Sequence, residues 1–420
     1  MNDSATADIA LIGLAVMGQN LVMNLCDHGF SVAVYNRTTE VTDTFANGPA
    51  KDMSVVPCHD LAALTAALQR PRKVMIMVRA GSAVDAVIDG LIGHLDEGDI
   101  IVDLGNSRYV DSERRGEELS QKGLRFVGCG VSGGELGARH GPSIMPGGDP
   151  QAWPELERIL PKAAAQVEGE SCCAWLGRGG AGHYVKMVHN GIEYGDMQLI
   201  AEAYHLMRDG LGLNADAMAT QFNTWNSGVL DSYLIEISAE ILAYKDEDGG
   251  PLVERILDTA GQKGTGKWTG ISALELGMPV SLIGEAVFAR CLSALHDQRQ
   301  AAATVLSGPQ AKLDGTPADF LADLEQALYG AKIASYAQGF MLMRAASEES
   351  EWDLDYGAIA MLWRGGCIIR SRFLRDIRDA YRSQPALDNL MLASFFADAL
   401  NAAEGPWRRV VAAATLAGIP

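Results

Sequence analysis

The chain has 420 residues, 48% of them hydrophobic and 21% charged, a length at which a single hydrophobic core has stopped growing, so two domains are expected. Its formal net charge of −19 excludes the broad basic surface that a nucleic-acid partner requires, so any phosphorylated ligand must be held by local Lys, Arg and backbone donors. Seven cysteines without a C-x-x-C pair, the acidic start MNDSATAD and the absence of a long apolar run predict a soluble cytoplasmic protein with no membrane association.

Short apolar runs at residues 9–12, 31–35, 74–78, 100–103 and 124–127, with a sixth candidate at 173–176, alternate with helix-like segments. That alternation predicts an α/β Rossmann-type, doubly wound parallel sheet with right-handed crossovers. Gly177-Arg178-Gly179-Gly180 reads as a boundary. Beyond it the patterns lengthen and take helical periodicity, as in 197–207, 232–243, 283–295 and 320–344. The expected organisation is a nucleotide-binding domain over 1–180 and a large all-α domain over 181–420.

Directly after the first predicted strand, Gly13-Leu14-Ala15-Val16-Met17-Gly18 is a G-x-A-x-x-G variant of the dinucleotide fingerprint. Gly13 permits the tight turn, Ala15 keeps the backbone close to a pyrophosphate, and Gly18 lets helix and strand approach. The second strand ends in Asn36-Arg37-Thr38, where an NAD enzyme usually carries Asp or Glu for the ribose hydroxyls. Arg37 instead offers a planar, permanently charged fork to a 2′-phosphate, and NADP is the expected cofactor. The alternative is that Arg37 is a solvated loop residue.

In the segment 182–194, Lys186, His189, Asn190, Glu193 and Tyr194 stand at i, i+3, i+4, i+7 and i+8, which stacks them on one helical face. A lysine and a glutamate on a core-facing stripe are costly to desolvate unless they pair or do chemistry. The stripe is therefore either a site, a solvated face or a buried ion pair. Gly261-Gln262-Lys263-Gly264-Thr265-Gly266-Lys267 matches G-x-x-x-x-G-K, but Trp268 stands where a P-loop needs Ser or Thr, so no ATP site is expected. Its glycines and lysines still suit a loop closing over a phosphate. Cys172-Cys173 reads as packing.

These segments, with Gly105-Asn106-Ser107 and Val131-Ser132-Gly133-Gly134, resemble in order and over the whole chain the signatures of the 6-phosphogluconate dehydrogenases. The resemblance implies NADP-dependent oxidation of 6-phosphogluconate at C3, then decarboxylation to ribulose 5-phosphate in the pentose phosphate pathway, without a metal. It implies Lys186 as general base and later acid, which requires its pKa to fall from roughly 10 toward about 7 or 8, and Glu193 as the proton donor to C1 of the enediol. It implies contacts to the substrate's carboxylate and hydroxyls from Asn106, Ser132, Gly133, Gly134, His189 and Asn190, and to its phosphate from Tyr194, Lys263, Thr265 and Arg290. The cofactor would also meet Val78, Arg79, Ala80 and Asn106. A homodimer formed by the helical domain is implied as well.

Three departures from the family pattern stand out. Leu104 replaces a customary glycine and is expected to crowd the backbone beside Asn106. Arg108 follows Asn106-Ser107, where a basic residue is not typical. The chain is also expected to lack a C-terminal tail that, in the family, supplies an arginine and a histidine to the partner's substrate site. Rival readings are another β-hydroxyacid dehydrogenase and a catalytically impaired, tail-less NADP-binding protein. The segment Trp363-Arg364-Gly365-Gly366-Cys367-Ile368-Ile369-Arg370 suits helix packing, a subunit interface or ligand contact.

Overall fold

Short β-branched and apolar runs form the sheet of the computed structural model, which describes residues 6–309, 312–313 and 316–420. Strands β1 (Ile9–Ile12), β2 (Val32–Tyr35), β3 (Val55–Pro57), β4 (Lys73–Ile76), β5 (Ile100–Asp103), β6 (Arg125–Val131) and β7 (Ile144–Gly148) make one seven-stranded sheet in the order β3-β2-β1-β4-β5-β6-β7. The first six run parallel, with Leu11 opposite Val34 on one side and Met75 on the other. Alternation sends Ile9, Leu11, Val32, Val34, Met75 and Val102 into one core, and Ala10, Ile12, Ala33, Val74, Ile76 and Ile101 into the other. Both faces are thus covered, as parallel sheets require. The strand order reverses at β1, where a doubly wound sheet opens a crevice at its carboxyl edge.

The sheet departs from the sequence reading in three places. β3 is three residues ending in proline, too short to show a period. β7, Ile-Met-Pro-Gly-Gly, pairs antiparallel with β6, and its glycines and proline hide a strand from any propensity argument. The expected strand at 173–176 does not form: that segment meets β7 only at the single bridge Ile144↔Cys173, and a further bridge joins Gly148 to Arg178. Leu176 and Gly177 exchange isolated backbone bonds with Pro146 and Gly148 there, so a loop follows the strand edge without extending the sheet.

The chain divides into two compact units, residues 1–187 with 347–367, and residues 188–346 with 368–420. The sequence reading placed this division at 180/181. The helix Ala181–His205 carries the chain from the first unit into the second. In the first unit Trp352 packs on Tyr184 and Tyr109 at ring separations of 5.0 and 6.1 Å. Gly366 O accepts the Ser143 N–H at 2.7 Å.

The second unit is helical, and the expected segments 232–243, 283–295 and 320–344 correspond to Tyr233–Ala243, Ser281–Ala294 and Pro317–Ser350. Residues 197–207 belong to the end of Ala181–His205 and the π turn Leu206–Gly210. Its core includes edge-to-face Tyr336 and Phe373 at 4.8 Å, and the Tyr336 hydroxyl donates to Ile369 O at 2.8 Å. Lys332 and Asp196 form an ion pair at 2.6 Å with side chains 0% and 1% exposed, which locks helix Pro317–Ser350 to helix Ala181–His205. Among the described residues no helix is long and apolar enough to cross a membrane.

Candidate active site

In the first unit the turn after β1 is built so that backbone can approach a ligand. Gly13 has φ +104°, and a Cβ there would lie 2.4 Å from Met77 O. A Cβ on Gly18 would fall 1.9 Å from Gly13 O, so both positions demand glycine. Ala15, the extended N-cap of helix Val16–Asp27, provides no side-chain cap and leaves first-turn N–H groups to an external acceptor. Leu14 N–H donates to Asn36 Oδ1 at 3.2 Å, tying this turn to the one after β2. The cleft beside this turn measures about 510 Å³ and is lined by Gly13, Asn36, Arg37, Thr38, Val78 and Arg79 among others, with two arginines and no carboxylate. That lining and the glycine turn fit NADP and its 2′-phosphate. Ala15, Val16 and Met17 stand outside the cleft lining at the helix start, with Ala15 and Val16 exposed. Ala80 is half-buried beside Arg79.

At the end of β5 the side chain of Leu104 is buried in the sheet core. The crowding expected of it therefore does not occur, because its bulk points into a cluster of aliphatic neighbours. Asn106 is exposed between buried Gly105 and Ser107. Arg108 is the N-cap of helix Tyr109–Ser120, where its carbonyl accepts the Asp111 N–H at 3.0 Å. After β6, buried Ser132 donates its N–H to Ser143 O at 3.0 Å, and Gly133 turns the chain with φ +110°. A Cβ on Gly133 would meet Gly366 O at 2.5 Å. The Trp363-to-Cys367 segment thus packs behind this turn.

Lys186 is buried, and its placement depends on strand β6. A Cβ on Gly130 would come within 2.3 Å of the Lys186 Cβ and 2.8 Å of its Cγ. One turn earlier, His183 packs on Gly128 in the same way and its Nδ1 lies 2.6 Å from Ser112 Oγ. Burial pushes the His183 pKa below its ordinary value. Gly128 and Gly130 of β6 seat these two side chains, and the sequence reading missed them; glycine inside a strand is the available signal of a close approach.

In the second unit His189 is fully buried, with Nδ1 3.0 Å from Asn190 Oδ1 and 3.9 Å from Glu193 Oε2. Asn190 Nδ2 donates to Thr265 Oγ1 at 3.1 Å, fixing the first residue of helix Thr265–Glu275. The Arg290 guanidinium lies 3.8 Å from the Tyr194 ring centroid and donates to Gly261 O at 2.7 Å, so a cation–π contact joins two of the expected phosphate ligands. Lys263 is exposed in the loop between them, and Gly264, with φ +106°, turns that loop into the helix. No strand precedes it, which is the wrong context for a P-loop. His189, Asn190, Glu193, Tyr194, Thr265 and Arg290 are thus neighbours.

Comparison with known proteins agrees with both units. The model of the NAD binding domain of 6-phosphogluconate dehydrogenase matches residues 8–177, and that of the 6-phosphogluconate dehydrogenase C-terminal domain matches residues 182–420. The chain belongs to the 6-phosphogluconate dehydrogenase family. It is 59% identical over 418 residues to the decarboxylating 6-phosphogluconate dehydrogenase of Cunninghamella elegans, covering 99% of this chain and 86% of that protein. The Mus musculus enzyme of the same name is 57% identical with the same coverage. The structure of Plasmodium falciparum 6-phosphogluconate dehydrogenase, determined in its apo form, with NADP+ and with 6-phosphogluconate, superposes with a TM-score of 0.95 at 45% identity, covering 98% of this chain and 89% of that one. A 3-hydroxyisobutyrate dehydrogenase from Salmonella typhimurium, with a TM-score of 0.52, 17% identity and coverage of 70% of this chain and 95% of its own, shares the fold alone. The family's C-terminal domain is matched over residues 182–420, and the expectation of a family member lacking its tail is not borne out.

Proposed function

We infer that the protein catalyses the NADP-dependent oxidative decarboxylation of 6-phosphogluconate to ribulose 5-phosphate and carbon dioxide. The observation that carries this reading is buried Lys186, held against Gly130, on the same continuous helix as Glu193, in a chain that matches the family in both domains. NADP, when bound, supplies the hydride acceptor. Lys186 takes the proton of the C3 hydroxyl as that carbon is oxidised. The resulting ammonium then donates toward the 3-keto oxygen as the carboxylate leaves as carbon dioxide. Glu193 delivers a proton to C1 of the enediol, which completes ribulose 5-phosphate.

Asn106, Ser132, Gly133, Gly134, His189 and Asn190 orient the sugar's carboxylate and hydroxyls. Tyr194, Lys263, Thr265 and Arg290 hold its phosphate with donors from separate segments, the charge-assisted arrangement a dianion favours. Arg37 receives the cofactor's 2′-phosphate. Seven cysteines without a disulfide suit a cytoplasmic location. The helical unit forms a homodimer through its exposed apolar helix faces.

The test incubates the protein with NADP and 6-phosphogluconate while reduced nicotinamide, carbon dioxide and ribulose 5-phosphate are followed. All three should form. Reduction without carbon dioxide would point to another β-hydroxyacid dehydrogenase. Lys186→Ala should abolish reduction, whereas Glu193→Ala should retain a first turnover of reduction and delay ribulose 5-phosphate. Wild-type turnover by Lys186→Ala would sink the mechanism.

A further inference from the structure

Beneath exposed Asn106 lies a chain of buried charge that the chemistry above does not use. Asp103 ends β5 fully buried, and its carboxylate holds the turn that follows: Oδ1 accepts the Gly105 N–H at 3.0 Å and Oδ2 accepts Ser107 Oγ at 2.6 Å. Arg115, on helix Tyr109–Ser120, donates to the same Oδ2 at 3.2 Å, and both side chains are no more than 1% exposed. Its other donors face the neighbouring turn. Nε reaches Asp85 Oδ1 at 2.8 Å and the second terminal nitrogen reaches Gly81 O at 3.1 Å. Asp85 lies in the first turn of helix Ser82–Ile92, and the Arg115 guanidinium beside it holds its carboxyl below the usual carboxylate range.

One guanidinium therefore bridges the loop after β4 and the turn after β5. Burying an ion pair carries a desolvation cost that apolar residues of equal volume avoid, so stability alone does not account for it. Only arginine's planar fork can address three partners in different directions. We propose that Arg115, with Asp103 and Asp85, is a positioning residue that sets these two turns in register, orienting Asn106 toward the substrate and Val78, Arg79 and Ala80 toward the cofactor. This rests on the roles given to those residues under the proposed function.

The test uses the full chain with NADP and 6-phosphogluconate. Arg115→Met alone leaves Asp103 buried and unpaired, so it is combined with Asp103→Asn, which removes both charges. The folded double variant should show the KM for 6-phosphogluconate and the Kd for NADP each raised about tenfold, since small misplacements of binding groups carry losses of that order. Arg115→Lys, which keeps the charge without the fork, should fall between parent and double variant. A merely structural role would lower the active fraction and hence kcat, without moving either constant. A folded double variant with both constants within about twofold of the parent overturns the proposal. Should the double variant not fold, Asp85→Ala removes the outer link, together with the Arg114 pair at the same partly exposed carboxylate. A rise of about threefold in the Kd for NADP then supports the proposal, and an unchanged Kd overturns it. Asn106→Ala is the benchmark: if it leaves the KM unmoved, the role given to Asn106 has failed, and the positioning proposal falls with it.

Discussion

Arg37 is exposed at the rim of a cleft whose lining holds a second arginine, Arg79, and no carboxylate. A 2′-phosphate there gains charge-assisted hydrogen bonds that a ribose hydroxyl cannot. Arg37→Ala should therefore raise the Kd for NADP about tenfold or more while leaving the Kd for NAD nearly unchanged, since a hydrogen bond between charged groups contributes about 1.5–3 kcal/mol. Calorimetric titration with both cofactors checks it, and an equal loss for both would refute the assignment. This residue was legible because the fingerprint fixes the frame and the expected acid is visibly missing. Spacing placed Lys186 and Glu193 on one helical face, and the family resemblance gave them their expected roles. What holds Lys186 was not, because Gly130 is 56 positions away along the chain and no local pattern connects them.

Within the first unit, the start of helix Ala181–His205 packs on the glycines of β6, His183 against Gly128 and Lys186 against Gly130. A methyl group on Gly130 would meet the stem of Lys186, not its flexible end, so relief requires the helix or strand to move. Gly130→Ala is expected to cost about 1–3 kcal/mol of stability, as overpacking commonly does, and to lower kcat at least tenfold by displacing Lys186. Denaturation and steady-state kinetics on one preparation test both, and a variant with normal kcat would show that Lys186 tolerates the shift. On the same helix, burial lowers the His183 pKa, so below about pH 6.5, the ordinary value, the unfolded chain binds a proton that the folded chain refuses. Stability contributed by neutral His183 is therefore complete above that pH and is lost as pH falls toward the depressed folded value. The melting temperature should drop as pH falls below about 6.5, and His183→Gln should flatten that drop; an unchanged slope would dismiss the histidine as its source. At this scale periodic elements such as β1, β5 and helices Tyr233–Ala243 and Ser281–Ala294 could be read directly. β3 and β7 could not, because proline and glycine erase the strand signal, and the membership of 347–367 in the first unit depends on long-range packing of Trp352 and Gly366.

For the whole molecule, the sequence shows that helix Ser281–Ala294 is apolar but not which of its apolar residues face inward. Ile283, Ala286 and Val287 are buried, whereas Phe288 and Leu292 are 70% and 59% exposed, and Leu274 on the preceding helix is 85% exposed. Phe288 and Leu274 line a largely apolar cleft of about 460 Å³ with Ile271, Met278 and Val280. Scattered exposed apolar residues are ordinary, but a contiguous set around a cleft marks an interaction surface. A second copy of the chain is the expected occupant, so sedimentation at micromolar concentration should give a dimer and the melting temperature should rise with concentration. Leu274→Asp with Phe288→Asp should shift the population to monomer while preserving helix content. Each copy carries a net charge of −19, and the repulsion between copies is screened within about 8 Å at physiological salt but reaches about 30 Å at 0.01 M. Lowering the salt should therefore weaken the dimer, the opposite of an interface held by ion pairs. A wild-type chain that stays monomeric at all salt concentrations, or a dimer unaffected by the two aspartates, would rule out this face as the interface.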